Sequence, residues 1–104
     1  MPVSIIAVDD HPIVVEGLIS LLSRSDASVE LTRAFSAWPA MESALDAGEV
    51  RADLAFVDLQ RGDGTEPEAA VEGLVNRGIP AVIFTSELRP VPIRRAVQAG
   101  ACGL

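Results

Sequence analysis

Near its start the chain reads VSIIAVDD at residues 3–10, a short apolar run that ends in two carboxylates, Asp9 and Asp10. Two later runs also end in a polar side chain: LAFV is followed by Asp58, and AVIF is followed by Thr85. Short runs rich in Val, Ile and Phe, separated by helix-like segments, are typical of parallel strands buried on both faces. Because parallel strands end at one edge of their sheet, we expect the three acids and the hydroxyl to converge there.

Length and composition fit one globular domain spanning residues 1–104. Of the 104 residues, 49% are hydrophobic, and the chain carries a formal net charge of −7. A chain of this size buries roughly two-thirds of its unfolded surface, which is enough for one α/β core. An acidic surface repels phosphate backbones, so we predict that this segment itself does not bind nucleic acid.

Cysteine usage and hydropathy favour a reducing compartment. Cys102 is the single cysteine, so an internal disulfide is excluded. No stretch reaches the roughly 18 uninterrupted apolar residues of a membrane span, and no basic, apolar signal segment is present. We therefore expect a cytoplasmic protein without membrane contact.

The rest of the pattern predicts four strands, each followed by a helix. The strands are expected at residues 3–8, 29–35, 54–57 and 81–85. The helices are expected to begin at Pro12, Ser36, Pro67 and either Pro90 or Pro92. Apolar residues at helical spacing should face the sheet: Val15, Leu18, Ile19 and Leu22 in the first helix, Met41, Ala44 and Leu45 in the second, Ala70, Val71, Leu74 and Val75 in the third, and Ile93, Ala96, Val97 and Ala99 in the fourth. Right-handed crossovers then place helices on both faces of a parallel sheet.

The acids at the predicted edge have the chemistry of a phosphoryl-accepting site. Carboxylates a few ångströms apart raise each other's pKa, whereas a hard divalent cation keeps them ionised. We assign Asp58 as the nucleophile that takes up a phosphoryl group and Asp9 and Asp10 as metal ligands. We assign the Thr85 hydroxyl as a hydrogen-bond donor to a phosphoryl oxygen. His11 stands next to a helix start, so we interpret it as a capping or orienting group and not as a ligand.

Four segments carry a resemblance to a known family. They are VDDHPIVVEGL at residues 8–18, FVDL at 56–59, FTS at 84–86 and QAGACG at 98–103. Together they resemble the receiver domains of bacterial two-component response regulators, and the resemblance covers essentially the whole chain. The DDHP segment followed by EGL is most similar to the subgroup whose receivers precede a LuxR-type helix-turn-helix output domain.

The resemblance implies a flavodoxin-like three-layer sandwich with strand order 2-1-3-4-5. It implies that a sensor histidine kinase phosphorylates Asp58, and that Mg²⁺ is bound by Asp10, Asp58 and the main-chain carbonyl of Gln60, with Asp9 assisting through water. Thr85 would be the switch hydroxyl. Such a protein is a signalling module and not an enzyme, and it would regulate transcription through a C-terminal DNA-binding domain.

The sequence departs from the family pattern at its C-terminal end. Receivers of this family carry a Lys in the fifth strand, whereas this sequence ends at Leu104 and contains no Lys. The fifth strand and fifth helix are therefore expected to be missing or incomplete. In the loop after Asp58, Gly62 stands where the family often has Pro, and Glu66 stands where it often has Gly.

Two other functions remain open at this point. A degenerate receiver would bind partners without phosphorylation, which the missing Lys favours. A phosphohydrolase of the haloacid-dehalogenase type is the less favoured reading, because GDGT at residues 62–65 echoes part of that nucleophile motif but places Arg61 where the nucleophile would stand.

The incomplete sheet leads to a prediction about self-association. If strand four is an edge and the first helix and sheet lack a covering helix, unpaired backbone and apolar surface are exposed. We expect this chain to form a homodimer through that edge or that face, detected by sedimentation at high protein concentration. A monodisperse monomer under those conditions would contradict the prediction.

Overall fold

Strands and helices alternate along the chain in the computed structural model, which describes residues 3–25, 29–66, 68–83 and 90–101. The elements are β1 (Val3–Val8), α1 (Pro12–Ser25), β2 (Val29–Phe35), α2 (Trp38–Asp46), β3 (Leu54–Val57), α3 (Ala69–Asn76), β4 (Ala81–Ile83) and α4 (Pro90–Gln98). The predicted bounds of the first three strands are confirmed. The fourth strand is described only as far as Ile83, because residues 84–89 lie outside the described part.

Two helices begin later than predicted. α2 begins at Trp38 and not at Ser36, with Pro39 in its first turn and the extended residue Ala37 before it. α3 begins at Ala69, two residues after Pro67, which lies outside the described residues. A proline fits the first turn of a helix because the amide that it lacks would have no partner there.

The four strands form one parallel sheet in the order β2-β1-β3-β4. This is the order predicted for the first four strands of a flavodoxin-like fold. β1 lies in the middle, and its last residue, Val8, pairs with Phe35 of β2 and with Val57 of β3. Three neighbouring strands therefore end level with one another, and the residues that follow them meet at one edge.

The main core lies between one face of the sheet and helices α2, α3 and α4. Its members are buried residues on strands and helices: Ile6, Val8, Phe35, Trp38, Met41, Ala44, Ala55, Val57, Leu59, Ala70, Val71, Leu74, Ala81, Ile83 and Ala96. Side chains alternate between the faces of a strand, so Ile5 and Ala7 point to the opposite face. Both are buried, as is Leu18 of α1. The sheet thus carries helices on both faces.

Three apolar residues that were predicted to face the sheet are instead exposed. Ile19 is 46% exposed, Val75 39% and Val97 55%. Each directly follows a buried residue of the same helix, namely Leu18, Leu74 or Ala96. Successive helical residues are about 100° apart around the axis, so the first of each pair takes the central position and the second turns to the side.

Trp38 packs against a glycine in α3. A Cβ atom added to Gly73 would overlap the indole carbons Cζ2 and Cη2 of Trp38, which is 5% exposed. The guanidinium of Arg77 lies 5.8 Å from the centre of the same ring. The missing side chain at Gly73 is therefore what allows α2 and α3 to pack closely around the indole.

A pair of glycine substitutions tests this packing. We expect Gly73→Ala to lower the free energy of unfolding by about 1–3 kcal/mol, because overpacking displaces the Trp38 ring. Gly17→Ala is the matched control, since Gly17 is also helical and a Cβ there meets nothing within 4 Å. Alanine at position 17 should raise stability by about 0.5–1 kcal/mol through helix propensity. Urea titration measures both, and equal effects would contradict the packing argument.

Candidate phosphoryl and metal site

Backbone hydrogen bonds beyond the strand ends place two of the predicted acids. The Asp9 N–H donates to the Phe35 carbonyl at 2.9 Å, and the Asp58 N–H donates to the Val8 carbonyl at 3.0 Å. Both acids are buried, with exposed fractions of 7% for Asp9 and 3% for Asp58. The parallel pairing of the strands therefore continues for one residue and brings both acids to the same edge.

Asp9, Asp10 and Asp58 meet there as predicted, and we call them the acidic cluster. Together with His11 they offer ligand atoms that all lie within 4.8 Å of one another. His11 Nδ1 lies 2.8 Å from Asp9 Oδ1, 3.0 Å from Asp58 Oδ2 and 3.1 Å from Asp10 Oδ1. The main-chain N–H of His11 also donates to Asp9 Oδ1 at 2.9 Å. His11 thus orients the carboxylates.

The electrostatics of the cluster follow from burial and crowding. Burial raises the pKa of Asp9, with a further rise from Asp58, and the hydrogen bonds from His11 offset only part of it. The hydrogen bond with Asp9 raises the pKa of His11, and Asp58 and Asp10 add to this, against a smaller opposing effect of desolvation. Positive charge at this position is therefore favoured.

A divalent cation fits the oxygen atoms of the cluster better than one imidazole does. Nδ1 of His11 carries at most one hydrogen, yet three carboxylate oxygens face it. Asp10 Oδ1 is buried and, although His11 Nδ1 lies 3.1 Å away, it accepts no hydrogen bond from the described residues. Its other oxygen, Oδ2, accepts the Gly62 N–H at 2.7 Å. A buried carboxylate oxygen without a hydrogen bond, beside two other carboxylates, is the arrangement that a hard cation with oxygen ligands satisfies.

The sequence is similar to that of a known regulatory protein. No family model matches the sequence. The chain is 36% identical over 109 residues to the methanol utilization control regulatory protein MoxX of Paracoccus denitrificans, a match that covers 99% of this chain and 46% of that protein. The chain therefore spans about half the length of this relative.

Solved structures of response regulators have the same fold. A two-component response regulator of the LuxR family from Aurantimonas sp. SI85-9A1 is similar with a TM-score of 0.80 at 25% identity, over 99% of this chain and 72% of that chain. RcsB from Salmonella enterica serovar Typhimurium, bound to promoter rprA in the presence of phosphomimetic BeF3-, matches with a TM-score of 0.84 at 18% identity, over 99% and 58%. The chain has the fold of the receiver domains of response regulators.

Two of the predicted site residues, Thr85 and Gln60, keep roles that are predictions. Thr85 lies outside the described residues. The N–H of Gln60 donates to Asp58 Oδ1 at 3.0 Å, while the role of its carbonyl as a metal ligand stays a prediction. None of the described helices is long and apolar enough to cross a lipid bilayer.

The sequence analysis missed a set of buried polar contacts in the loop between β3 and α3. Asp63 Oδ1 accepts from the N–H and the hydroxyl of Thr65, at 3.0 and 2.6 Å, and its Oδ2 accepts from the Trp38 N–H at 2.8 Å. Nε of Arg61 donates to Asp63 Oδ2 at 3.0 Å. We call Arg61, Asp63, Thr65 and the Trp38 amide the loop network. The Asp-Gly-Thr order does signal an Asx turn, but nothing in the pattern signals a buried arginine.

The loop network explains the segment that echoed a phosphohydrolase motif. Asp63 and Thr65 hydrogen-bond each other and Arg61 inside the loop, and the Asp63 side chain is 4% exposed. Burial alone would raise the pKa of Asp63, but the hydrogen bonds from Thr65, Trp38 and Arg61 outweigh it and hold this pKa well below its usual range. The residues of this segment therefore build the loop.

The depressed pKa of Asp63 predicts an acid-sensitive contribution to stability. We expect Asp63→Asn to lower the free energy of unfolding near neutral pH by about 1–3 kcal/mol, because charge-assisted hydrogen bonds are lost. Below about pH 4 the unfolded chain binds a proton at Asp63 that the folded state excludes, so this stabilisation falls with pH. The difference between wild type and D63N should therefore narrow in urea titrations from about pH 7 to about pH 3. A constant difference would contradict the assignment.

Proposed function

We propose that this receiver domain accepts a phosphoryl group on Asp58, with Mg²⁺, and so acts as the switch of a two-component signalling system. One observation carries the proposal: Asp58 is 3% exposed at the strand edge, and its carboxylate lies in a cluster with those of Asp9 and Asp10. Three carboxylates held this close, one of them with a buried oxygen that accepts no hydrogen bond from the described residues, favour metal-assisted phosphoryl chemistry.

The same residues would hold the metal ion. Asp10, Asp58 and the main-chain carbonyl of Gln60 would bind Mg²⁺, and Asp9 would act through water. When bound, Mg²⁺ neutralises negative charge on the phosphoryl oxygens during transfer. The Gln60 N–H donates to Asp58 Oδ1 and so holds one carboxylate oxygen. The other oxygen, Oδ2, lies 3.0 Å from His11 Nδ1.

The transfer step moves a phosphoryl group from a histidine of the kinase to Asp58. A carboxylate oxygen of Asp58 forms a bond to phosphorus, and the bond from phosphorus to the histidine nitrogen of the kinase breaks, so the electron pair returns to that imidazole. The product is an aspartyl phosphate. The Thr85 hydroxyl would then donate a hydrogen bond to a phosphoryl oxygen and move toward it.

A sensor histidine kinase and a DNA-binding output are the partners that this function requires. The matched MoxX protein is named as a control regulatory protein, and the matched RcsB structure is a promoter complex formed with a phosphomimetic. Both support transcription regulation as the output. With a net charge of −7, the chain itself repels nucleic acid, so DNA contact would come from another domain.

The alternative function is that of a degenerate receiver, a domain that binds its partners through the same fold without being phosphorylated. The two candidates differ in whether the acidic cluster binds a phosphoryl analogue.

Beryllofluoride with Mg²⁺ distinguishes the candidates. We expect saturable binding in isothermal titration calorimetry, and we expect Asp58→Asn to abolish it because the acceptor oxygen is lost. Asp53→Asn is the matched control: Asp53 immediately precedes β3, at the opposite end of that strand from Asp58, and accepts the Ser4 N–H at 2.9 Å. The control variant should bind as wild type does.

Each outcome of this titration decides between the two functions. Binding that is lost in D58N and kept in D53N supports the phosphoryl-accepting function. No binding to wild type would contradict it and favour the domain that acts without phosphorylation. Equal binding to wild type and D58N would mean that the analogue is held elsewhere, and would contradict Asp58 as the acceptor.

A further inference from the structure

We propose that Arg61 is a positioning residue for the metal and phosphoryl site, which it serves by fixing the main chain at Asp58 and the loop that follows. The inference rests on the proposed function and deepens it. It starts from an unusual placement: the Arg61 side chain is 1% exposed, although it carries a full positive charge. A buried guanidinium is tolerated only when its donors are satisfied.

The guanidinium joins the strand end to the rest of the loop. Nη1 of Arg61 donates to the main-chain carbonyl of Asp58 at 2.7 Å. Its Nε donates to Asp63 Oδ2 at 3.0 Å, and its Nη2 donates to Thr65 Oγ1 at 2.8 Å and to the Glu66 carbonyl at 3.2 Å. One planar group therefore links residues 58, 63, 65 and 66.

This link bears on the site because of where the anchored carbonyl lies. The Asp58 carbonyl belongs to the peptide that leads from the acceptor into Leu59, and Gln60 follows directly. Fixing that peptide limits the rotation of the backbone that carries both the Asp58 carboxylate and the Gln60 carbonyl. Removing a group that does not touch the metal but orients its ligands typically weakens metal binding about 10–100-fold.

Arginine is the residue type that this role needs. Its planar fork presents donors in several directions at once, whereas a lysine ammonium is a single point charge on a flexible stem. Lysine at position 61 would keep the charge but could not reach the Asp58 carbonyl, Asp63 and Thr65 together. The charge and the geometry of Arg61 can thus be separated by substitution.

The positive charge of Arg61 and its positioning role predict opposite effects on Mg²⁺ affinity. A buried cation beside a metal site repels a second cation, so its removal should tighten Mg²⁺ binding if charge dominates. Positioning predicts that both Arg61→Met and Arg61→Lys weaken Mg²⁺ binding, because both lose the fork. The sign of the change in R61M and the behaviour of R61K therefore separate the two effects.

The experiment compares Mg²⁺ dissociation constants in the full chain. Isothermal titration calorimetry with Mg²⁺ alone is applied to wild type, R61M and R61K, each under conditions where urea titration shows it to be folded. Arg77→Met is the matched control. Arg77 also donates to a main-chain carbonyl, that of Gly73 at 2.8 Å, and pairs with Asp46 at 2.8 Å, but it joins α3 to α2 away from the acidic cluster.

We expect about tenfold weaker Mg²⁺ binding in R61M, a smaller loss in R61K, and wild-type affinity in R77M even where R77M is less stable. Unchanged or tighter binding in R61M would overturn the inference. If R61M does not fold, R61K decides alone, and wild-type affinity in R61K would overturn it. If wild type fails to bind Mg²⁺ and beryllofluoride, the proposed function fails as well. If wild type binds both and R61K and R61M match it, only the role of Arg61 fails.

Discussion

The parallel pairing of β1 with β3 is the constraint on which the site depends. The pairing sets Val8 opposite Val57 and continues into the bond from Asp58 N–H to the Val8 carbonyl at 3.0 Å. A shift of one residue would displace the Asp58 carboxylate by about 3.3 Å and turn it to the other face of the sheet. Because β1 is also paired with β2 through Phe35, the register is fixed from both sides. The acidic cluster is therefore a consequence of strand register, and strand register follows from burial of the alternating apolar side chains.

Asp63 and Asp9 lie in environments that differ in how fully hydrogen-bond donors offset the burial of each carboxylate. Asp63 accepts four hydrogen bonds, from the N–H and hydroxyl of Thr65, from Trp38 and from Arg61, and its pKa is depressed. Asp9 is crowded by another carboxylate and desolvated, and its pKa is raised. Groups whose surroundings shift the pKa in opposite directions mark a division of roles: Asp63 stabilises the loop, while Asp9 contributes negative charge that the fold leaves incompletely matched. A binding site for a cation requires that mismatch.

Much of this could be predicted from the sequence, because the apolar strand runs and the polar residues that end them are local features. The convergence of Asp9 and Asp58 followed from that pattern alone. Features that depend on one particular contact could not be predicted in the same way. β2 alternates apolar and polar residues, but its register with β1 shifts so that Ile5 pairs with Leu31 and Ile6 with Arg33. Thr32 is skipped in this register. Phe35 therefore points to the face of the sheet that carries the main core, and not to the face of Leu31. The pairing of β2 with β1 determines this register shift, and the alternation of apolar and polar residues in the sequence does not predict it.

The loop network also ties the site to the packing of two helices. Arg61 holds Asp63, Asp63 accepts the first amide of α2 at Trp38, and the indole of Trp38 fills the space left by Gly73 in α3. Close-packed interiors respond to displacement as units, since neighbouring side chains have no free volume to absorb it. A change at Arg61 or Asp63 would therefore also be felt at the contact between Trp38 and Gly73.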